Sequence, residues 1–185
     1  MTSCCKPILT PRDIVATYIR AKDENRPHLM RGAFATTAEL RVVATPGTIS
    51  FPGFTQGIDP ITDILVRRFA QTYENVHTFC LAAAPRDDAT TFSCPWLVGM
   101  SEKETRAIRV GCGRYDWVFN VAPPRLVGRL TITIELMQSL AADTLPPIMD
   151  WLAQLPYPWC SAQTAVRTAP TLDDLRPVLR YITAD

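Results

Sequence analysis

Histidine is nearly missing from this chain. Only His28 and His77 occur in 185 residues. Two histidines far apart, with no paired carboxylate motif, fall short of a two-histidine, one-carboxylate metal set. Glycine is also scarce, at eight residues, and wrongly spaced for a phosphate- or dinucleotide-binding loop. No GxSxG elbow occurs, and neither Cys80 nor Cys112 has an activating base beside it in sequence. Net charge is only +1, with acids and bases interleaved, whereas a nucleic-acid surface needs a basic patch or stripe. No apolar run approaches the ~20 residues of a membrane span. The stretch 1–11 has no hydrophobic core of the kind a secretory signal needs. The expectation is therefore a protein without metal or cofactor, and without a nucleic-acid or membrane partner.

Zinc-like cysteine spacing is absent too. The six cysteines (Cys4, Cys5, Cys80, Cys94, Cys112 and Cys160) are scattered, with no CxxC among them. Three fall in apolar strand patterns, where a free thiol behaves as a small hydrophobe. This reads as a reducing, cytoplasmic compartment, with Cys4-Cys5 in a mobile tail. Sixteen prolines are spread over turns and helix starts rather than gathered in a linker. One domain over 1–185 is expected, with its core at about 10–140 and a helical extension at 141–185.

What is present is a legible alternation of periods. Thr10-Pro11-Arg12-Asp13 is a helix start, because threonine can accept from an early N–H, proline suits the first position and aspartate favours the positive end. Ile14, Tyr18 and Ala21 then form a buried stripe, with Val15 and Ile19 beside it. The pattern fails near Asp23, and Asn25-Arg26-Pro27 begins a second short helix reaching Ala33 and Phe34. Leu40–Val43 and Thr48–Phe51 read as strands joined through Pro46-Gly47. Asp59-Pro60 opens a helix with Ile61, Leu65, Phe69 and Tyr73 on one face. Four strands follow, over 76–83, 90–100, 105–119 and 126–136. Gly111 and Gly113 suggest a bulge or sharp bend in the third. The fourth places Leu126, Leu130, Ile132, Ile134 and Leu136 on one face, and Arg129, Thr131, Thr133 and Glu135 on the other. Helices near 148–155 and 175–182 close an α+β chain.

The element order, and three local stretches, resemble the SnoaL-like branch of the NTF2-like superfamily, scytalone dehydratase above all. The stretches are Ala21–Val42, Asn75-Val76-His77-Thr78-Phe79 and Ile108–Asp116. The resemblance covers about 12–136. It implies an NTF2-like cone, a curved mixed or antiparallel sheet whose N-terminal helices enclose an apolar pocket, with extra C-terminal helices. It also implies a homodimer paired through the sheet, whose polar row of Arg129, Thr131, Thr133 and Glu135 would meet a partner or water. Asp23 stands where these enzymes keep a helix-end catalytic aspartate, and His77 where they keep an active-site histidine. Their second histidine corresponds here to Arg106.

The pocket walls are expected from Tyr18, Phe34, Phe51, Phe69, Phe79, Trp96, Tyr115 and Trp117. As a set these suit a flat, polycyclic or otherwise hydrophobic small molecule. Each alone also reads as ordinary core. Asp23 is either an acid at the pocket mouth or a solvated helix-end carboxylate in the run Lys22-Asp23-Glu24. His77 can donate to an oxyanion or act as a base. His28 reads as a rim residue. Two functions remain open at this level. One is a cofactor-independent lyase, isomerase or cyclase in which Asp23 and His77 handle protons, Tyr18 and Tyr115 bond oxygen atoms and Arg106 stabilises charge. The other is a non-catalytic ligand-binding or assembly module.

Overall fold

The structure is a computed structural model that describes residues 9–184; Cys4-Cys5 lies outside the described residues. Helix α1 (Pro11–Asp23) starts as its sequence dictates. Thr10 Oγ1 accepts from the Asp13 backbone N–H, and the Asp13 carboxylate accepts from the Thr10 N–H at 3.0 Å. After a 3-10 turn at Pro27–Gly32 come β1 (Phe34–Ala44) and the short β2 (Phe54–Gln56). A helical stretch over 58–72 is α-helical at α2 (Ile58–Thr62), π-helical at Asp63–Arg68 and α-helical again at α3 (Phe69–Thr72). Four long strands follow: β3 (Tyr73–Cys80), β4 (Thr91–Glu102), β5 (Ile108–Phe119) and β6 (Val127–Leu140). Three helices complete the chain: α4 (Leu145–Ala153), α5 (Ala162–Arg167) and α6 (Arg176–Thr183).

The strands form one sheet in the order β2-β1-β6-β5-β4-β3. It is mixed, since β1 runs parallel to β6 while the other pairs are antiparallel. The expected cone is not what forms. The sheet is open, with β2 and β3 as its two edges, and it carries helices on both faces instead of closing around a pocket on one. Two separate cores result. Against one face pack α1 and the 58–72 stretch, over Leu40, Trp96, Tyr115, Trp117, Leu130 and Ile132. Against the other lie α4 and α6, with Ile148, Trp151, Leu152, Val178 and Ile182 on Phe79, Leu97, Ile108 and Val110.

The switch between faces is set by one bulge. Cys112 pairs with Leu136 and Gly113 with Ile134, leaving Glu135 as the extra residue. An odd insertion inverts the alternation. Leu136 therefore joins the second core while Ile132 and Ile134 stay in the first, which corrects the expectation of one uninterrupted row. Gly113 is required there, because a Cβ would sit 1.9 Å from the Thr133 carbonyl oxygen.

Two further expectations change. Phe34 opens β1 rather than ending a helix, and Thr48–Phe51 is an irregular loop, the second strand coming later at Phe54. The Pro46-Gly47 turn is present, with Gly47 at φ 87°. The C-terminal extension packs on the second face of the sheet, over Phe79, Leu97, Ile108 and Val110. Its segment 157–160 also covers the β3 edge: the Cys80 N–H donates to Pro158 O at 2.8 Å, and the Cys160 N–H donates to Cys80 O at 3.1 Å. Covering an edge in this way removes its free pairing groups.

The extension is therefore part of the core. Trp151 is 3% exposed and donates its indole N–H to Ala165 O. Trp151→Ala should cost about 3–5 kcal/mol in urea denaturation. A loss below 1 kcal/mol would show that α4 is a loosely attached appendage.

Candidate ligand-binding site

On the α1 face, the aromatics meet in one cluster. Tyr18 makes edge contacts with Phe34 at 5.6 Å, Trp117 at 5.3 Å and Tyr115 at 6.2 Å between ring centroids. Trp96 packs on Tyr115 at 5.7 Å. Beside them lies a small apolar cavity of ≈ 50 Å³, lined by Tyr18, Lys22, Phe51, Phe69, Trp96 and Tyr115 together with aliphatic side chains of β4 and β6. Five of the eight expected wall residues thus line it: Tyr18, Phe51, Phe69, Trp96 and Tyr115. Phe34 and Trp117 pack behind Tyr18 in the same core. Phe79 is in the other core, across the sheet, because it sits one step out of phase with Thr78 and Cys80 on β3.

The polar atoms at this cavity are mostly donors. The indole nitrogens of Trp96 and Trp117 are fully buried and make no hydrogen bond among the described residues, and the equally buried Tyr18 hydroxyl has only the Tyr115 hydroxyl close by, without a well-formed hydrogen bond. Burial raises the Tyr18 hydroxyl well above its ordinary value of 10.0. Tyr115 rises too, first from burial and then from the nearby Tyr18. Both therefore remain protonated donors at neutral pH. Lys22 supplies the charge. Its ammonium is 4.9 Å from the Phe69 ring centroid, an attractive cation–π placement. It donates to Asp23 Oδ1 and Thr78 Oγ1, each at 2.6 Å. An ammonium has three donors.

Lys22 is the residue that the sequence reading missed. From sequence it reads, like Glu24, as helix-end surface, yet it is 6% exposed. The signal was available, since Lys22 follows Val15 and Ile19 at i+7 and i+3 on the buried face.

Asp23 resolves neither as a solvated carboxylate nor as a free acid in the cavity. Its side chain is 4% exposed. Oδ2 accepts the Thr78 backbone N–H at 2.7 Å and the Tyr157 hydroxyl at 3.1 Å, while Oδ1 accepts from Lys22 and from Thr78 Oγ1 at 2.8 Å. A carboxylate offers about four lone-pair sites, and all four are occupied. Tyr157, placed over Phe79 at 5.9 Å, is raised by burial and by the Asp23 charge.

Of the three residues expected to handle protons and charge, Asp23 and His77 come together and Arg106 stands apart. His77 shares a groove with Asp23, Leu152 and Tyr157, on the opposite side of the sheet from the aromatic cavity. Arg106 is exposed in the β4–β5 turn at φ 63°, with its N–H donating to Glu102 O. His28 is exposed on the 3-10 turn. Among the described residues, no group of three or more histidine, cysteine or acidic side chains could hold a metal ion. Cys80, Cys94, Cys112 and Cys160 are free and buried.

No family model matches the sequence, and no curated protein matches it. Solved structures do. A type 2 hexachlorocyclohexane dehydrochlorinase (LinA) superposes with a TM-score of 0.56 at 13% identity, over 70% of this chain and 86% of that one. An NTF2-like superfamily protein from Salmonella enterica serovar Typhimurium gives 0.52 at 14% identity, over 70% and 88%. A ketosteroid isomerase-like protein from Catenulispora acidiphila, solved with trimethylamine, gives 0.52 at 18% identity, over 73% and 98%.

Two outcomes follow from the site. Asp23→Asn leaves the Lys22 ammonium buried without its counter-charge, and should cost about 3–5 kcal/mol in urea denaturation; a loss under 1 kcal/mol would contradict this network. Tyr18 and Tyr115 have raised values in the folded chain, so the unfolded chain loses those protons first. Stability should hold below pH 10 and fall as pH rises beyond it. Tyrosinate absorbance should accordingly show these two ionising only with unfolding, and free titration of all five tyrosines in the folded state would refute it. At the level that the comparisons reach, the chain shares the NTF2-like fold.

Proposed function

We propose that this protein binds a small, flat, largely apolar molecule through one oxygen acceptor, in the aromatic cavity between α1 and the sheet. The observation carrying the proposal is that the buried indole donor of Trp96, which lines the cavity, has no partner among the described residues, while the Tyr18 hydroxyl beside it has only a loose approach from Tyr115. Buried donors in folded proteins are nearly always satisfied. A carbonyl, enolate or carboxylate oxygen seated there would accept from two or three of the donors that line the cavity, drawn from Tyr18, Tyr115, Trp96 and the third Lys22 donor. Ligand pockets are usually about 300–1,000 Å³, so the loop wall carrying Ile49 and Phe51 has to yield as the ligand enters.

The binding role is preferred over the lyase or isomerase role for a chemical reason. Among the described residues lining the cavity there is no carboxylate or imidazole, and a proton-abstracting step needs a base within reach. The four lone-pair sites of Asp23 are occupied, and His77 faces the other way. A dehydratase-type activity of the SnoaL-like kind would require Tyr157 and Thr78 to release Asp23 first. The buried free thiols suit a reducing compartment, and we place the protein in the cytoplasm.

Trp96 and Trp117 stand at or behind the wall, so ligand entry is readable as quenching of tryptophan emission. Acetophenone should quench saturably and bind more tightly than ethylbenzene, which has the same shape without the oxygen. Tyr18→Phe should reduce that preference about tenfold. Equal affinity for the ketone and the hydrocarbon would reject the acceptor-binding role.

A further inference from the structure

The inner cavity does not end at its own walls. Ile49, Phe51 and Phe69 line it on one side, and the same three side chains line a second space, an open cleft of ≈ 420 Å³ at the surface. That cleft is bounded by residues 47–52, by Ile64 and Thr72, and by Arg68, Tyr73 and Arg109. Its lining mixes the apolar Ile49, Phe51, Ile64 and Phe69 with polar side chains, and among the described residues its charged groups are both cationic, with no carboxylate.

Both arginines are held from behind. Arg68 Nε meets Asp63 Oδ2 at 2.6 Å, and Arg109 Nε meets Glu102 Oε1 at 2.7 Å. Thr105 and Arg109 together hold the Glu102 carboxyl below its usual range. Closest approach through Nε leaves the terminal nitrogens of each fork for a further acceptor. That is the arrangement suited to an organic carboxylate.

What separates cavity from cleft is weakly fixed. The segment between β1 and β2 is tied at its ends, where the Thr45 N–H donates to Ile134 O at 3.0 Å and the Val42 N–H donates to Gly53 O at 3.1 Å. Among the described residues, no backbone hydrogen bond attaches 49–52 to the sheet. The partition therefore consists of the Ile49, Phe51 and Phe69 side chains, each of which can rotate without breaking a strand pairing.

We infer that cavity and cleft form one bipartite site for an amphipathic carboxylate. Its flat, oxygen-bearing end lies among Tyr18, Trp96 and Tyr115, and its carboxylate lies between Arg68 and Arg109. This rests on the binding role proposed above and adds the ligand's class, an aryl or similarly apolar keto acid rather than a neutral compound. Cleft and cavity together supply the volume that the cavity alone lacks.

The probe is 5-oxo-5-phenylpentanoate, compared with its methyl ester, each titrated by tryptophan quenching. The acid should bind about tenfold more tightly than the ester, and added salt should narrow the difference. Arg68→Gln with Arg109→Gln should abolish the preference, bringing the acid's affinity down to that of the ester. If that pair fails to fold, Arg68→Gln alone, at a site 70% exposed, should reduce the preference, and the wild-type salt titration stands independently. Equal binding of acid and ester, with acetophenone still bound, would overturn the bipartite site and leave the cavity's role intact. A preference that survives both substitutions would also overturn it. Binding of none of the three compounds would remove both proposals.

Discussion

The Asp23 carboxylate is the point on which this structure turns. Through four hydrogen bonds it joins the end of α1, the edge of β3 and the C-terminal segment, by way of Lys22, Thr78 and Tyr157. A buried charge of this kind is tolerated only when its partners are all present. The consequence for the site is direct. With Asp23 bonded toward the β3 edge, the Lys22 ammonium becomes the ionic group that faces the aromatic cavity. The donor-lined wall follows from where this one carboxylate is held.

The same network explains the tail. The stretch after β6 carries two short helical stripes, around 148–155 and 175–182, but its sequence does not say where they pack. In the structure Tyr157 reaches Asp23, Pro158 takes the Cys80 N–H, and α4 with α6 buries the second face of the sheet. An open sheet with two covered faces needs two apolar sets on its strands. The bulge at Glu135 supplies the change of face on β6, with Ile108, Val110 and Cys112 on one side of β5 and Tyr115 and Trp117 on the other.

Much of the fold was readable because it rests on local periodicity. The cap at Thr10, the stripe of α1, the alternation of β5 and the bend at Gly111-Gly113 are short-range signals. What was not readable depends on pairing at a distance. Phe34 forms a strand because β6 lies alongside to receive it, and Thr48–Phe51 does not because no strand is in register with it. The site was half legible. Tyr18, Phe51, Phe69, Trp96 and Tyr115 are where an apolar pattern puts them, whereas Phe79 and His77 fall on the far face by the phase of a single edge strand. Lys22 was obscured by its neighbours, since a charge beside Asp23 and Glu24 looks like solvated surface until the helix phase is followed through. Arg106 drew attention by analogy with a histidine position; its turn conformation points it away from the cavity, and Arg109 occupies the useful place nearby.

The central claim is that the unpartnered donors of the cavity await a ligand's oxygen. Nitrogen-resolved NMR of the indole N–H groups tests it most directly, because each of the four tryptophans gives its own signal. On adding acetophenone, the Trp96 resonance should move saturably in the direction of stronger hydrogen bonding, while that of Trp151, already donating to Ala165 O, stays in place. A Trp96 signal that does not move, or one that moves no more than that of Trp151, would contradict the account.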